Sequence, residues 1–271
     1  MMKFNFNEKT WVMGILNVTP DSFSDGGNYT SVKDALVQAE KMIAEGADII
    51  DIGGESTRPG HTQISVKEEI GRVVPVIKAL SEYKGVLISI DTYKSEVAEA
   101  ALQAGAHIIN DVWGAKYDPD IAKVAAEWKV PIILMHNRND TSYSNFREEV
   151  QRDILESIQI ALDAGVEREQ IWLDPGIGFG KTTAQNIEMM QALDKFTALG
   201  YPVLLGTSRK SLIGKVLGVP VEERLAGSLA TVCYGIQKGC HIVRVHDVLE
   251  TSHAVKMMDV LEGKSTYKEV E

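Results

Sequence analysis

The chain has 271 residues, 44% of them hydrophobic and 24% charged, and a formal net charge of −10. This length buries a full core and suits one large α/β domain, while the acidic balance argues against a nucleic-acid partner, since phosphate binding needs a basic surface. No apolar run approaches the roughly 20 residues that span a bilayer. Met1 to Thr10 lacks the layout of a signal peptide, and Cys233 and Cys240 form no CxxC or Cys/His ligand set, so they read as reduced thiols of a cytoplasmic protein.

Along the chain, apolar runs alternate with segments of helical spacing. Trp11–Leu16 reads as a buried strand, and its end opens into a long polar loop, Asn17 to Gly27, before a helix over Val32 to Glu45. Further strands are expected at Ala47–Ile52, Val86–Ile90, His107–Val112, Pro131–Met135, Ile171–Leu173, Pro202–Leu205 and His241–Val245. The helices between and after them cover Lys67 to Leu80, Ser95 to Ala104, Pro119 to Trp128, Phe146 to Ala164, Ala184 to Leu199, Glu223 to Lys238 and Leu249 to Glu262. The strand runs are apolar on successive positions, as parallel strands buried on both faces are. Gly46, Gly105, Gly165, Gly200 and Gly239 end helices just before the next strand, the usual left-handed stop.

Eight such units are what a closed (β/α)8 TIM barrel requires. The rival, an open doubly wound sheet, often carries GxGxxG after its first strand, and none follows Leu16. The expectation is one barrel domain over 1–271, with 1–10 an N-terminal extension and 263–271 a frayed polar tail.

Barrel active sites gather where the strands' C-terminal ends meet, and here every strand ends in hydrogen-bonding or charged groups. Asp91, Asn110 and Asp174 suit a flat, nitrogen-rich heterocycle: Asp accepts paired N–H donors, and Asn offers a donor and an acceptor. Helix N-capping is the rival for either Asp alone. Asn17, Arg58, Arg244 and His246 form an anion-seeking group that suits a di- or tri-anionic leaving group, and Asn17 is an oxygen ligand for Mg²⁺, which leans on water and substrate phosphates. Against this stand a solvated loop charge for Arg58, an ion pair in the barrel mouth for Arg244 and a structural histidine for His246. Lys210, beside Ser211 at a helix start, can donate to two substrates at once. His61, His107, His136, His241 and His253 show no metal-ligand spacing, and Trp113, Trp128 and Trp172 read as packing.

Four stretches, Asn17 to Gly27 (NVTPDSFSDGG), Asp51 to Gly60 (DIGGESTRPG), Asp174 to Lys181 (DPGIGFGK) and Ser208-Arg209-Lys210, resemble the dihydropteroate synthase family, pterin-binding transferases of folate biosynthesis and targets of sulfonamides. The resemblance runs from about Trp11 to Leu261. It implies condensation of 6-hydroxymethyl-7,8-dihydropterin diphosphate with 4-aminobenzoate to 7,8-dihydropteroate and pyrophosphate, with Mg²⁺ near Asn17. It further implies that Asp91, Asn110, Asp174 and Lys210 hold the pterin, and that Asn17, Thr57, Arg58, Arg244 and His246 serve the diphosphate. Phe23, Thr57, Pro59, Phe179, Lys210 and Ser211 would form the aminobenzoate pocket. Asp25, Asp91 and Lys210 are the catalytic candidates, and a homodimer through the face around Leu249 to Leu261 is expected. The alternatives are a methyltetrahydrofolate-binding methyltransferase domain, which needs no pyrophosphate clamp, and a non-catalytic pterin carrier, which would be expected to lose Asp25, Arg58 or Lys210.

Overall fold

A computed structural model describes residues 4–19, 28–56 and 63–266. Its strands are β1 (Trp11–Asn17), β2 (Ile49–Gly53), β3 (Leu87–Asp91), β4 (Ile108–Asp111), β5 (Ile132–Met135), β6 (Ile171–Asp174), β7 (Leu204–Leu205) and β8 (Ile242–Val245). All pair in parallel in the order β6-β5-β4-β3-β2-β1-β8-β7. A bridge between Leu173 and Val203, with the Leu173 N–H on the Pro202 carbonyl at 2.8 Å, joins β6 to β7. The ring therefore closes as the TIM barrel expected.

The helices are α1 (Asn28–Ala44), α2 (Val66–Leu80), α3 (Ser95–Gln103), α4 (Asp120–Trp128), α5 (Phe146–Asp163), α6 (Thr183–Gln191), α7 (Leu193–Thr197), α8 (Ser211–Leu217), α9 (Leu225–Gln237) and α10 (Val248–Leu261). Two differ from the sequence expectation. The helix expected over Ala184 to Leu199 breaks at Ala192, so that Met189 and Met190 bury from one segment and Leu193 and Phe196 from the next. The short α8 was read only as a helix start at Lys210–Ser211; at seven residues, closed by left-handed Gly218, it is too brief for helical spacing to stand out.

Side chains alternate across each strand, so one set meets the helices and the other fills the barrel. Val12, Ile50, Ile52, Ile88, Ile90, Ile109, Leu134 and Val243 pack outward in the main core, each burial stabilising by about 1.5–3 kcal/mol. The inward set begins with Met13, Ile49, Ile108, Ile133, Trp172, Leu204 and Ile242, against which Leu87 packs. Each of the eight strands thus supplies one residue to a single apolar layer.

Phe4, Phe6 and Trp11 close this layer from below, with Phe4 edge-on to Trp172 at 4.7 Å and Phe6 at 5.3 Å. The N-terminal extension is therefore a plug for the barrel floor. At the same end, His107 Nδ1 accepts the Ile88 N–H and His241 Nδ1 the Val203 N–H, both at 3.1 Å. Burial lowers both imidazoles, His241 to about 4, so both stay neutral acceptors. The tail is tied further than expected. Asp259 binds the Thr10 N–H at 2.9 Å and its hydroxyl at 2.7 Å, Lys264 reaches the same hydroxyl, and the Lys264 and Ser265 N–H groups cap the Asp259 carbonyl. Among the described residues no helix is long and apolar enough to cross a membrane.

Candidate active site

Two residues beyond each member of the apolar layer, the same inward face carries Ile15, Asp51, Ser89, Asn110, Met135, Asp174, Gly206 and Arg244. Five of these eight are polar or charged, and they sit directly on a sealed hydrophobic floor. At the next level Asn17, Gly53, Asp91 and Asn110 form one register row, each the partner of the next across β1 to β4. A Cβ on Gly53 would stand 3.7 Å from Asn17 Oδ1 and 3.6 Å from Asp91 Oδ2, so glycine leaves a gap between those two groups.

Arg244 binds this set together. Its Nε donates to Asp51 Oδ2 and its Nη2 to Asp91 Oδ2, both at 2.6 Å. Asn110 Nδ2 donates to the same Asp51 oxygen at 3.0 Å. The other oxygen of each carboxylate, Asp51 Oδ1 and Asp91 Oδ1, is buried without a hydrogen-bond partner. A buried, unpartnered acceptor costs about 1–3 kcal/mol and is the mark of a site built for a donor-bearing ligand. Burial pushes the Asp91 carboxyl up to about 7, with Arg244 opposing and Asp51 adding to the rise. For Arg244 burial works against the charge, but Asp51 and Asp91 more than offset it and keep the guanidinium protonated.

Asp174 ends β6 and accepts the Gly176 N–H at 2.7 Å; burial raises its pKa against the pull of Lys210. Lys210 donates to the Ile177 carbonyl and lies 4.8 Å from the centre of the Phe179 ring, a cation–π contact. Burial lowers its ammonium to about 8 despite Asp174. Gly206 leaves room here, since a Cβ would stand 3.8 Å from Lys210 Nζ and 4.0 Å from Asp174 Oδ2. Tyr93, Val112 and Met135 form an apolar wall with Trp113 and Phe179 packed on it. The result is a slot with a charged, hydrogen-bonding floor and aromatic sides, the form that grips a flat polar ring.

Two supports were not foreseen from the sequence. Arg209 adopts φ 57°, and its guanidinium pairs with Asp247 from the strand-8 loop while its carbonyl accepts from Arg224. A left-handed arginine costs about 1–2 kcal/mol, and here it turns the chain so that Lys210 points inward. Lys94 Nζ binds Glu55 and Glu69 at 2.7 Å and the Ile64 carbonyl at 2.8 Å, fastening β3 to residues on both sides of 57–62.

Of the residues expected from the sequence, Asp91, Asn110, Asp174, Lys210, Arg244 and Phe179 converge on the slot. Arg244 takes the mouth ion pair weighed against its diphosphate role. Asn17 ends β1, exposed; Ser211 opens α8, exposed; and His246 meets Ser208, whose Oγ lies 3.0 Å from Nδ1 and accepts the His246 N–H at 3.1 Å. Phe23, Asp25, Thr57, Arg58 and Pro59 lie outside the described residues. Asp51, which opens one of the four family stretches, and the strand-end residues Met135 and Gly206 had no role of their own in the sequence reading, although counting two residues on from each apolar inward position finds them. Among the described residues there is no cluster of three or more His, Cys, Asp or Glu side chains placed to hold a metal.

Known proteins resemble this chain along nearly its whole length. The profile of the family described as pterin binding enzyme matches residues 13–246. The dihydropteroate synthase of Clostridium beijerinckii is 58% identical over 260 residues, covering 96% of this chain and 97% of that protein. A crystal structure of dihydropteroate synthase from Clostridium difficile in the presence of pteroic acid superposes with a TM-score of 0.93 at 49% identity, covering 96% of this chain and 99% of that one. The Xanthomonas albilineans dihydropteroate synthase with 4-aminobenzoic acid gives 0.90 at 43% identity, over 94% of each chain. With a closed barrel, a polar slot on its floor and likeness along nearly the whole chain, this protein belongs to the dihydropteroate synthase family of pterin binding enzymes.

Proposed function

We propose that the chain joins 6-hydroxymethyl-7,8-dihydropterin diphosphate to 4-aminobenzoate, forming 7,8-dihydropteroate and pyrophosphate. The observation that carries this reading is the Asp51–Arg244–Asp91 bridge with Asn110 beside it: a ring-binding floor that carries a cation at the end of β8, available to a leaving anion. Relatives whose structures hold pteroic acid or 4-aminobenzoic acid support the substrate pair.

In this reading Asp91, Asn110, Asp174 and Lys210 receive the pterin's edge donors and acceptors. The aminobenzoate nitrogen is a weak nucleophile, because its lone pair is delocalised into the ring. Bond breaking therefore runs ahead of bond making. The methylene C–O bond breaks, pyrophosphate leaves with the electron pair, and the amine then closes on the cationic carbon and gives up a proton. Asp91, ionised beside Arg244, stabilises the developing pterin cation, while Arg244 and His246, with Thr57 and Arg58, hold the departing anion. Phe179, Lys210 and Ser211, with Phe23, Thr57 and Pro59, receive the aminobenzoate, and Asp25 organises the site or accepts the amine proton. The donor chemistry suits Mg²⁺: one exposed amide oxygen at Asn17, with no group of three or more His, Cys, Asp or Glu side chains placed to hold a metal among the described residues, fits a cation held largely by water and substrate phosphates. Bound there, Mg²⁺ supplies charge neutralisation to the diphosphate.

A cytoplasmic homodimer completes the proposal, paired through the outer face of α10, where Leu249, Met257 and Leu261 are exposed. Sedimentation of the chain and of a Met257→Glu variant tests the pairing, and a dimer untouched by the substitution would rule this face out. The reaction is tested by mixing pterin diphosphate, 4-aminobenzoate and Mg²⁺. Pyrophosphate released in step with aminobenzoate consumed is expected. Ligand binding without turnover would mean a carrier instead.

A further inference from the structure

Lys181, the last residue of the Asp174–Lys181 stretch, is only 8% exposed. Its ammonium lies 2.8 Å from His136 Nδ1 and 3.0 Å from both the Gly176 and the Phe179 carbonyls. The ammonium's three protons are turned to these acceptors, with the His136 carbonyl at 3.5 Å as a fourth. Burial holds His136 down to about 3, so its ring is neutral; Nδ1 accepts from Lys181 and leaves Nε2–H to face Asp153 Oδ2 at 3.3 Å. The Arg138 Nε–H donates to that same oxygen at 2.5 Å.

The chain between Asp174 and Lys181 is wrapped around this ammonium. Gly176, Gly178 and Gly180 are all left-handed, at φ 66°, 89° and 53°, and a Cβ on Gly176 would lie 1.9 Å from the His136 carbonyl oxygen. Only glycine permits so tight a curl. From the other side Lys210 takes the carbonyl of Ile177. Two lysines thus divide the carbonyls of 176, 177 and 179 between them. The same few residues orient three groups of the slot: the Gly176 N–H holds Asp174, Ile177 holds Lys210, and Phe179 carries the ring beside it.

An ammonium in such a place is a poor device for stability alone. Desolvation lowers it to about 7 even with Asp174 near, and a buried ion is often replaced by an apolar residue at no loss of stability. What it does supply is two directed bonds to one loop, at Gly176 and Phe179, and a third that ties that loop to His136 just after β5. We propose that Lys181 is a positioning residue: it moulds residues 176–180 so that Asp174 and Lys210 stand at the pterin and Phe179 at the aminobenzoate. This rests on the function proposed above.

The test is Lys181→Met, with KM for each substrate, kcat and thermal midpoint measured beside the unaltered chain. A loop out of place is expected to raise both KM values about tenfold or more while kcat at saturation changes by about threefold at most. KM values within about twofold of the parent's, with a lower melting point, would overturn the proposal, because a purely structural lysine moves only the latter. If Lys181→Met does not fold, Asp153→Asn weakens the hold on His136 from outside the slot; KM values about threefold higher are expected and unchanged ones overturn it. Should the unaltered chain release no pyrophosphate, the reaction above fails and the role of Lys181 does not. It is then read by fluorescence titration with pterin: an affinity about tenfold weaker in the variant supports it, and equal affinity refutes it.

Discussion

Asp51 Oδ2 meets Asn110 Nδ2 at 3.0 Å, and the contact fixes which end of the Asn110 amide faces the slot. With its NH₂ turned to a carboxylate, Asn110 presents its carbonyl to the ligand, so the ring edge opposite must carry a donor. The same Asp51 oxygen holds Arg244 at 2.6 Å. One buried carboxylate therefore sets both the hydrogen-bonding sense of the floor and the place of its cation.

Asp51→Asn tests this with almost no change in shape. An asparagine cannot accept from both partners at one oxygen as strongly, and its own NH₂ competes for the slot. Weakening a buried charged pair of this kind costs about 3–5 kcal/mol of stability, and misplacing Asn110 and Arg244 is expected to lower kcat/KM by about 10²-fold. Steady-state kinetics with both substrates, beside a thermal melt, measure it. A kcat/KM close to the parent's would show that Asn110 and Arg244 need no such anchor.

The pH profile follows from two buried groups of the free protein. Asp91 must be ionised to stabilise a pterin cation, and its carboxyl is held up at about 7 by burial. Lys210 must be protonated to donate, and its ammonium is held down at about 8, again by burial. Activity through kcat/KM therefore rises as pH climbs through the Asp91 value and falls as it climbs through that of Lys210, giving a narrow bell centred between them. Lys210→Arg keeps a cation that does not titrate below about 12 and is expected to abolish the alkaline fall, whatever it does to the maximum. An alkaline limb that survives in Lys210→Arg would assign it to another group.

Linkage makes a separate statement about stability. A lysine at about 7 in the fold and 10.5 in the open chain binds fewer protons when folded between those values. Unfolding then takes up a proton, so stability rises with pH across that window. For Lys181 this means the folded protein carries a cost at neutral pH that it sheds on the alkaline side. Denaturant titrations from pH 7 to 9 are expected to show a slope smaller in Lys181→Met by up to one proton's worth, about 1.4 kcal/mol per pH unit. Equal slopes would show that Lys181 is not depressed.

Most of the fold was legible because parallel strands buried on both faces leave continuous apolar runs, and glycine stops separate them from helices. Asp91, Asn110 and Asp174 were legible for the same reason, as polar residues where such a run ends. Asp51 was less so. It lies within the strand, between Ile50 and Ile52, and pairs in register with Ile15 and Ser89 rather than with Asp91. Its meeting with Arg244, 193 residues away, depends on barrel closure, which no local pattern states. Lys181 and His136 were visible residues with no visible relation, since 45 positions and an intervening helix separate them until β5 and β6 lie side by side. The strain at Arg209 was hidden too, because the groups that bind it in the left-handed region, Ser228, Arg224 and Asp247, all lie far along the chain.

Arg209 separates strain from charge. Arg209→Gly relieves the left-handed backbone and removes the Asp247 pair, whereas Arg209→Ala removes the pair and keeps the strain. The glycine variant is expected to be more stable than the alanine variant by about 1 kcal/mol. Both are expected to raise KM, since Lys210 follows directly in the chain. Paired melts and kinetics decide it, and equal stability of the two variants would mean that φ 57° is not a strained state here.

Gly206 offers the sharpest division between folding and binding. It is buried, yet its backbone is not left-handed, and a Cβ would meet Lys210 Nζ at 3.8 Å, Arg244 Cβ at 3.9 Å and Asp174 Oδ2 at 4.0 Å. These are ordinary contact distances, so an added methyl clashes with no atom of the protein. It does, however, stand between Lys210 and Asp174, two groups that the substrate ring must reach. Gly206→Ala is thus expected to melt within a few degrees of the parent, and slightly higher if anything, since alanine has less freedom to lose on folding by about 0.4–1 kcal/mol. Pterin affinity is expected to fall about tenfold or more, because a rigid slot cannot widen for one methyl without moving its charged lining. Calorimetric titration with pterin beside a thermal melt reads both at once. Unchanged affinity would place the ring away from Gly206; a collapsed melting point would mean that the glycine serves the strand and not the slot.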